Sequence, residues 1–458
     1  MENNRGQWGS NLGFLLAAIG SAVGLGNLWG FPYKMGMNGG FAFLIIYLLL
    51  VVFCGIIVVS IEMVIGRKTG KSPVLAFGEL GKRYKFIGWM GVASSFIILG
   101  FYSTIGGYVI KYMVDFALNI FGSGSFKGVG GAEYFASVFQ NPGISVAFHV
   151  LFMALTIGIV MGGVNKGIEK FSLFAMPALL VLLLIVMIRS VTLPGAGEGI
   201  KFMFSFSSDK FNFFQAVRAA GGQMLFSLSL GMGALITYGS YLSPKENVIK
   251  NSFIIPLADT VFALLAGFAI LPAVFATGLD PKSGPSLLFE TLHEVFNGMG
   301  TVGLFLGFAF YLLALFAALT SSVSLLEVAC SHFIDSRLIK GKSPNRGVIT
   351  IVVGAVITLF GLPVAFDALG SSGMFQPLGL IWLDFYDLLA EGIMMPSAAL
   401  IMSILVGWVF KDKFMDDEIE KEGNKFIWRG FFKFCTRYVT PVLMTFVLIS
   451  LVMSFFGK

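Results

Sequence analysis

Eleven stretches of mostly apolar residues follow one another along the 458-residue chain. They lie at about 10–37, 41–66, 86–116, 145–162, 169–190, 214–242, 250–277, 300–336, 347–366, 377–410 and 431–456. A membrane-spanning helix needs about 20 such residues. Several stretches are longer, which implies tilt or extension beyond the bilayer. Only 12% of the residues are charged, about half the share found in soluble domains. The chain reads as an all-α integral membrane protein with little mass outside the bilayer.

Lysine and arginine set the orientation. With the N-terminus inside, 22 of the 31 basic residues fall on the inner side and eight on the outer. That bias places the N-terminus in the cytoplasm. Eleven spans then leave the C-terminus outside. The first residues, MENNRGQWGS, are polar and unlike a signal peptide. The 411–430 loop, KDKFMDDEIEKEGNKFIWRG, reads as a solvated mixed-charge segment without a function.

Several function classes are excluded. Cys54, Cys330 and Cys435 form no CxxC pair, and His149, His293 and His332 lie far apart. Neither a zinc site nor a disulfide framework is indicated. There is no HExxH or GxSxG, so an enzyme is not expected. The net charge of +6 reflects basic residues in short loops and does not point to nucleic acid. A channel or a non-transporting receptor differs from a transporter by lacking ion-coupled counterflow.

Two spans carry glycine-rich interruptions. Residues 20–33 of the first read GSAVGLGNLWGFPY, and residues 227–235 of the sixth read SLSLGMGAL. One glycine cluster could serve close helix packing. Two, at equivalent positions of the five-helix sets 1–5 and 6–10, point to the midplane site of a secondary transporter. Unsatisfied backbone groups are costly in lipid, so irregular backbone persists where it lines a cavity or binds something. Free N–H groups at a half-helix start suit a carboxylate, and free carbonyls suit an alkali cation or an ammonium. An α-amino acid with sodium is the simplest ligand set of that kind.

With these motifs, FSLSLGMGALITYGSY (226–241) and LTSSVSLLE (319–327), nearly the whole chain resembles the neurotransmitter:sodium symporter family. The resemblance implies a LeuT-type 5+5 inverted repeat with discontinuous helices 1 and 6. Repeat one would cover about 10–190, repeat two about 214–410, and an extra helix about 431–456. It implies a sodium-coupled symporter that imports an amino acid across the bacterial cytoplasmic membrane by alternating access. A first sodium would take Ala22, Asn27, Ser227 and Asp259 with the substrate carboxylate. A second would take Gly20, Val23, Ala317, Thr320 and Ser321. Oxygen donors of this kind suit a hard cation. The substrate pocket would use Ala22, Leu25, Gly26, Ile98, Tyr102, Phe226, Ser227, Ser229, Met232, Ser321 and Leu325. Tyr102 would bond the substrate carboxylate and Phe226 would close the pocket. Gly24 stands where monoamine carriers have an aspartate, so the substrate must bring its own carboxylate. Met232, flexible and between two glycines, favours hydrophobic or aromatic L-amino acids. Asp259 replaces the asparagine of chloride-requiring members, which implies chloride-independent transport.

The resemblance also assigns gates. Arg5, Trp8, Tyr241 and Asp335 match the inner gate, Gln223 and Asp387 the outer one, and Glu62 a support for span six. Gly167 and Pro177 match a pair that lets the fifth span unwind. Glu327 has no partner readable from the sequence. One position departs: NLWGFPYK has Gly30 where most relatives have arginine. Either Lys34, one turn further out, replaces that charge, or the gate closes through Gln223, Tyr102, Phe226 and water. The oligomeric state is not legible.

Overall fold

The structure is a computed structural model that describes residues 6–124, 126, 129–206, 211–279, 281, 284, 286–410 and 413–456. Arg5 of the expected inner gate lies outside these residues. Among the described residues all regular structure is helical.

Among the described residues nine helices are long and apolar enough to cross a membrane, and a bent pair makes a tenth. In chain order, span one is the pair Asn11–Ala22 and Gly26–Met37, bent by 52° at the break. Spans two to five are Phe41–Thr69, Lys82–Ile120, Pro142–Met161 and Val164–Val191. The place of span six is taken by Phe213–Ser227 and Ala234–Gly239, separated by a turn at 228–233. Spans seven to eleven are Val248–Ala276, Gly300–Ile339, Arg346–Gly370, Trp382–Val409 and Arg429–Phe455. The first half of span one packs against spans five, seven and eight, and span three lies along span eight. The two breaks therefore meet inside a ring of helices rather than at the lipid face.

The connections before spans four, six and eight carry helical structure of their own. Short helices form at Gly131–Phe139, Gly197–Phe204 and Leu292–Gly298. The 411–430 segment corrects its expectation as a purely solvated loop. Lys413–Ile419 is helical and buries Met415, Glu418 and Ile419. Arg67, at the end of span two, holds it in place. Its Nε donates to Glu418 Oε1 at 2.7 Å, its Nη1 to the Glu246 carbonyl at 2.6 Å, and its Nη2 to the Glu418 carbonyl. A guanidinium presents five donors in a fixed fork, which allows one side chain to join three segments.

Candidate functional site at the two broken helices

The break in span one starts with a redirection of three N–H groups. In a continuous helix, Gly24, Leu25 and Asn27 would donate to the carbonyls of Gly20, Ser21 and Val23. Instead Gly24 N–H goes to Asn27 Oδ1 at 3.0 Å, Leu25 N–H to the Tyr102 hydroxyl at 3.3 Å, and Asn27 N–H to the Gly24 carbonyl at 3.2 Å. Val23 turns extended, with ψ 97°. The carbonyls of Gly20 and Val23 are thereby released from the helical ladder next to Ala22, where the half-helix ends.

Asp259 meets this break from span seven. It is fully buried and accepts from Asn27 Nδ2 at 2.8 Å, from Ser227 Oγ at 2.8 and 2.9 Å, and from the Tyr47 hydroxyl at 3.3 Å. All three partners are neutral. A buried carboxylate without a counter-charge is costly, and a bound cation removes that cost. Ser227 Oγ also lies 3.4 Å from Asn27 Oδ1, so three hard oxygen ligands converge. Of the residues expected at the first sodium, Asn27, Ser227 and Asp259 are brought together directly. Tyr47 was missed, because a tyrosine within LIIYLLL carries no sequence signal.

Of the second expected sodium set, Gly20, Ala317, Thr320 and Ser321 lie together. Ser321 Oγ lies 3.3 Å from the Gly20 carbonyl and 3.2 Å from that of Ala317. Thr320 Oγ1 lies 3.0 Å from the Ala317 carbonyl. Gly20 permits a close approach: a Cβ there would stand 3.0 Å from Thr320 Cβ and 3.1 Å from Met176 Sδ. Met176 lies within the Gly167–Pro177 stretch. That stretch is helical throughout in this structure, π-helical at Val164–Glu169 and α-helical across Pro177, so the expected unwinding is not seen here. Glu169, also in this stretch, accepts from Gly9 N–H at 2.7 Å and Ser10 Oγ at 2.9 Å and so ties span five to the start of span one.

The break in span six is built differently. Ser229, Gly231 and Gly233 all take positive φ, at 54°, 77° and 77°. A Cβ at Gly231 would lie 2.3 Å from the Met395 carbonyl, so only glycine fits that approach. Glu62, fully buried on span two, accepts the Gly231 N–H at 2.7 Å. Ser95 of span three, which the sequence did not single out, donates to the Met232 carbonyl at 2.7 Å. Ser21 and Ser229 join the two breaks: Ser229 Oγ donates to the Ser21 carbonyl at 2.9 Å, and Ser21 Oγ donates to Ser324 Oγ at 2.7 Å.

Between the breaks is a cavity of about 20 Å³. Nine of the eleven expected pocket residues line it: Ala22, Gly26, Ile98, Tyr102, Phe226, Ser229, Met232, Ser321 and Leu325. Ser21, Gly24 and Asn27 line it as well. Leu25 and Ser227 are not among the residues that line it. Leu25 contributes its backbone N–H to Tyr102, and Ser227 turns to Asp259. Tyr102 accepts from Leu25, which leaves its own hydroxyl proton for a carboxylate. The Phe226 ring covers Gly26, 2.9 Å from where a Cβ would stand. A Cβ at Gly24 would lie 2.8 Å from Ser321 Oγ, so an aspartate there would force Ser321 to shift.

Outside the cavity, Lys34 Nζ donates to Gln223 Oε1 at 3.0 Å, and Gln223 Nε2 donates to the Gly26 carbonyl at 3.3 Å. Lys34 reaches back over the glycine: its Nζ is 3.9 Å from a Cβ built at Gly30. Asp387 faces Glu391, one turn along span ten, and both lie within electrostatic reach of Lys34. Just before span one, Trp8 Nε1 donates to the Tyr238 carbonyl at 3.0 Å. The partner of Glu327 is Arg346, in a partly buried ion pair, and the Tyr241 hydroxyl donates to the same carboxylate at 2.7 Å. Asp335 accepts the Ser72 N–H at 2.7 Å.

Comparison with known proteins matches this arrangement. The sequence profile of the sodium:neurotransmitter symporter family fits residues 5–120 and 133–457. An uncharacterised sodium-dependent transporter of Bacillus subtilis, YhdH, is 36% identical over 97% of each chain. One from Haemophilus influenzae is 32% identical over 99% of each. The solved structure of MhsT in complex with L-phenylalanine is 38% identical, with a TM-score of 0.88, and covers 98% of this chain and 100% of that one. The chain belongs to the sodium:neurotransmitter symporter family: it is a sodium-dependent multi-pass membrane transporter of LeuT-type fold, and not an enzyme.

Proposed function

We propose that the protein imports hydrophobic or aromatic L-amino acids together with sodium, without a need for chloride. The observation that carries this reading is Asp259, a buried carboxylate with neutral partners only, placed where span one releases its carbonyls. Sodium at Ala22, Asn27, Ser227 and Asp259 would neutralise it, and the substrate carboxylate would complete the shell while bonding Tyr102. A fixed carboxylate supplies the negative charge for which other members take up chloride. A second sodium at Gly20, Val23, Ala317, Thr320 and Ser321 would fasten span one to span eight.

The substrate class is supported by the apolar wall of Ile98, Met232 and Leu325 and by the L-phenylalanine bound in MhsT. The cavity of about 20 Å³ needs its wall to move for such a side chain. The flexible side chain of Met232, on a backbone held in place, is the part that can.

In this reading the protein lies in the bacterial cytoplasmic membrane with its N-terminus inside and its C-terminus outside. Phe226, Lys34, Gln223 and Asp387 close the outer path. Trp8, Tyr241 and Asp335, together with Arg5, close the inner one. Glu62 supports span six, and loosening between Gly167 and Pro177 admits cytoplasmic water to the second sodium. Sodium running down its gradient, aided by the membrane potential, drives uptake. The test is a binding screen of the twenty amino acids with and without sodium. Sodium-dependent binding confined to large apolar side chains is expected. Binding of glycine or alanine alone, or no sodium effect, contradicts the proposal.

A further inference from the structure

A second cavity lies away from the centre. A groove of about 800 Å³ runs between spans three, eight and nine. Its walls include Trp89, Phe96, Phe333, Val352 and Phe360. Trp89, Phe333 and Val352 are each about half exposed on the outer face of the helix ring. One end carries Arg337, on the last turn of span eight, and Lys340, the residue that caps it. Neither forms an ion pair among the described residues. The other end reaches Ile97, whose neighbour Ile98 lines the central cavity.

We propose that this groove is a binding site for an anionic phospholipid, with one acyl chain between spans three and nine and its phosphate at Arg337 and Lys340. The reasoning separates the two ends. Inside a bilayer, apolar walls do not distinguish one lipid tail from another, because lipid tails are as apolar as the walls. Selectivity must therefore come from the two cations at the mouth. Basic pockets between transmembrane helices on the cytoplasmic side hold anionic headgroups, at about 1 kcal/mol for each cation. Two cations then give a preference of roughly 30-fold over a zwitterionic lipid, at 1.4 kcal/mol per decade. Trp89 stands near the same end, edge-on to His332 at 4.8 Å, as an interfacial aromatic does. A chain seated in the groove presses on the back of span three, opposite the substrate cavity. The choice of the inner leaflet rests on the topology proposed above, whereas lipid retention itself does not.

The experiment is native mass spectrometry of the full-length protein in detergent with phosphatidylglycerol or phosphatidylcholine added at equal concentration. Retention of phosphatidylglycerol over phosphatidylcholine is expected, and the Arg337→Ala/Lys340→Ala double variant is expected to lose that preference. Val352→Trp, which fills the groove and keeps both charges, is expected to lose the bound lipid as well. Equal retention of the two lipids overturns the proposal, as does undiminished phosphatidylglycerol retention in either variant. Sodium-dependent amino-acid binding by the same samples reports separately on the transport reading.

Discussion

The two broken helices solve the same problem in opposite ways. Span one breaks over three residues, 23–25, and its diverted N–H groups are taken by members of the site itself, Asn27 and Tyr102. Its released carbonyls face inward. Span six breaks over six residues, 228–233, and is held from outside by Glu62 of span two and Ser95 of span three. In the proposed reading the first break is the ligand for cations. The second is a wall whose position is set by the scaffold. The comparison teaches that a midplane site can divide labour: one break supplies charge complementarity, the other supplies shape.

Substitutions should separate these roles. The largest effect is expected at Asp259. Asp259→Ala should weaken sodium-dependent amino-acid binding at least about 100-fold, equivalent to roughly 2.7 kcal/mol. Asp259→Asn should regain part of it only when chloride is supplied. Equal binding by the alanine variant and the wild type would mean that the first break does not bind the cation through this carboxylate.

Next comes Gly24→Asp, whose Cβ would lie 2.8 Å from Ser321 Oγ and 3.2 Å from the Tyr102 hydroxyl. Amino-acid affinity should fall by about tenfold or more, about 1.4 kcal/mol. An unchanged dissociation constant would show that the cavity wall yields at this point.

Glu62→Ala tests the second break. It leaves the buried Gly231 N–H without its acceptor, a cost of about 1–3 kcal/mol. A lower melting temperature is expected, with half-saturation by sodium nearly unchanged. If sodium affinity collapses as in Asp259→Ala, the two breaks are not separable.

The smallest effect is expected for Lys34→Ala. One partly buried bond to Gln223 is lost, so substrate should escape outward a few times faster, a change of about 1 kcal/mol. Stopped-flow release at the outer face would read this. Release at the wild-type rate would assign closure to Phe226 and Gln223 alone.

Much of this was legible in the sequence. The spans show through because lipid demands long apolar runs, and the breaks show through because glycine and asparagine are conspicuous there. Asp259 is conspicuous for the same reason, as a lone carboxylate in PLADTVF. What stayed hidden depends on partners that local composition cannot announce. Arg67 grips a segment 351 residues away, so 411–430 reads as solvated although Glu418 is buried. Arg346 looks like a loop residue until span nine brings it under Glu327. The spacing of Gly30 and Lys34 could be read, but not that the lysine folds back over the glycine toward Gln223.

The central claim, sodium-coupled amino-acid symport through a fixed carboxylate, is tested most directly in proteoliposomes. Uptake of radiolabelled L-phenylalanine would be measured under an inward sodium gradient, with chloride and with chloride replaced by gluconate. The account predicts concentrative uptake that disappears when the sodium gradient is removed and is equal in the two anions. Uptake that persists without sodium, or that fails in gluconate, would contradict it.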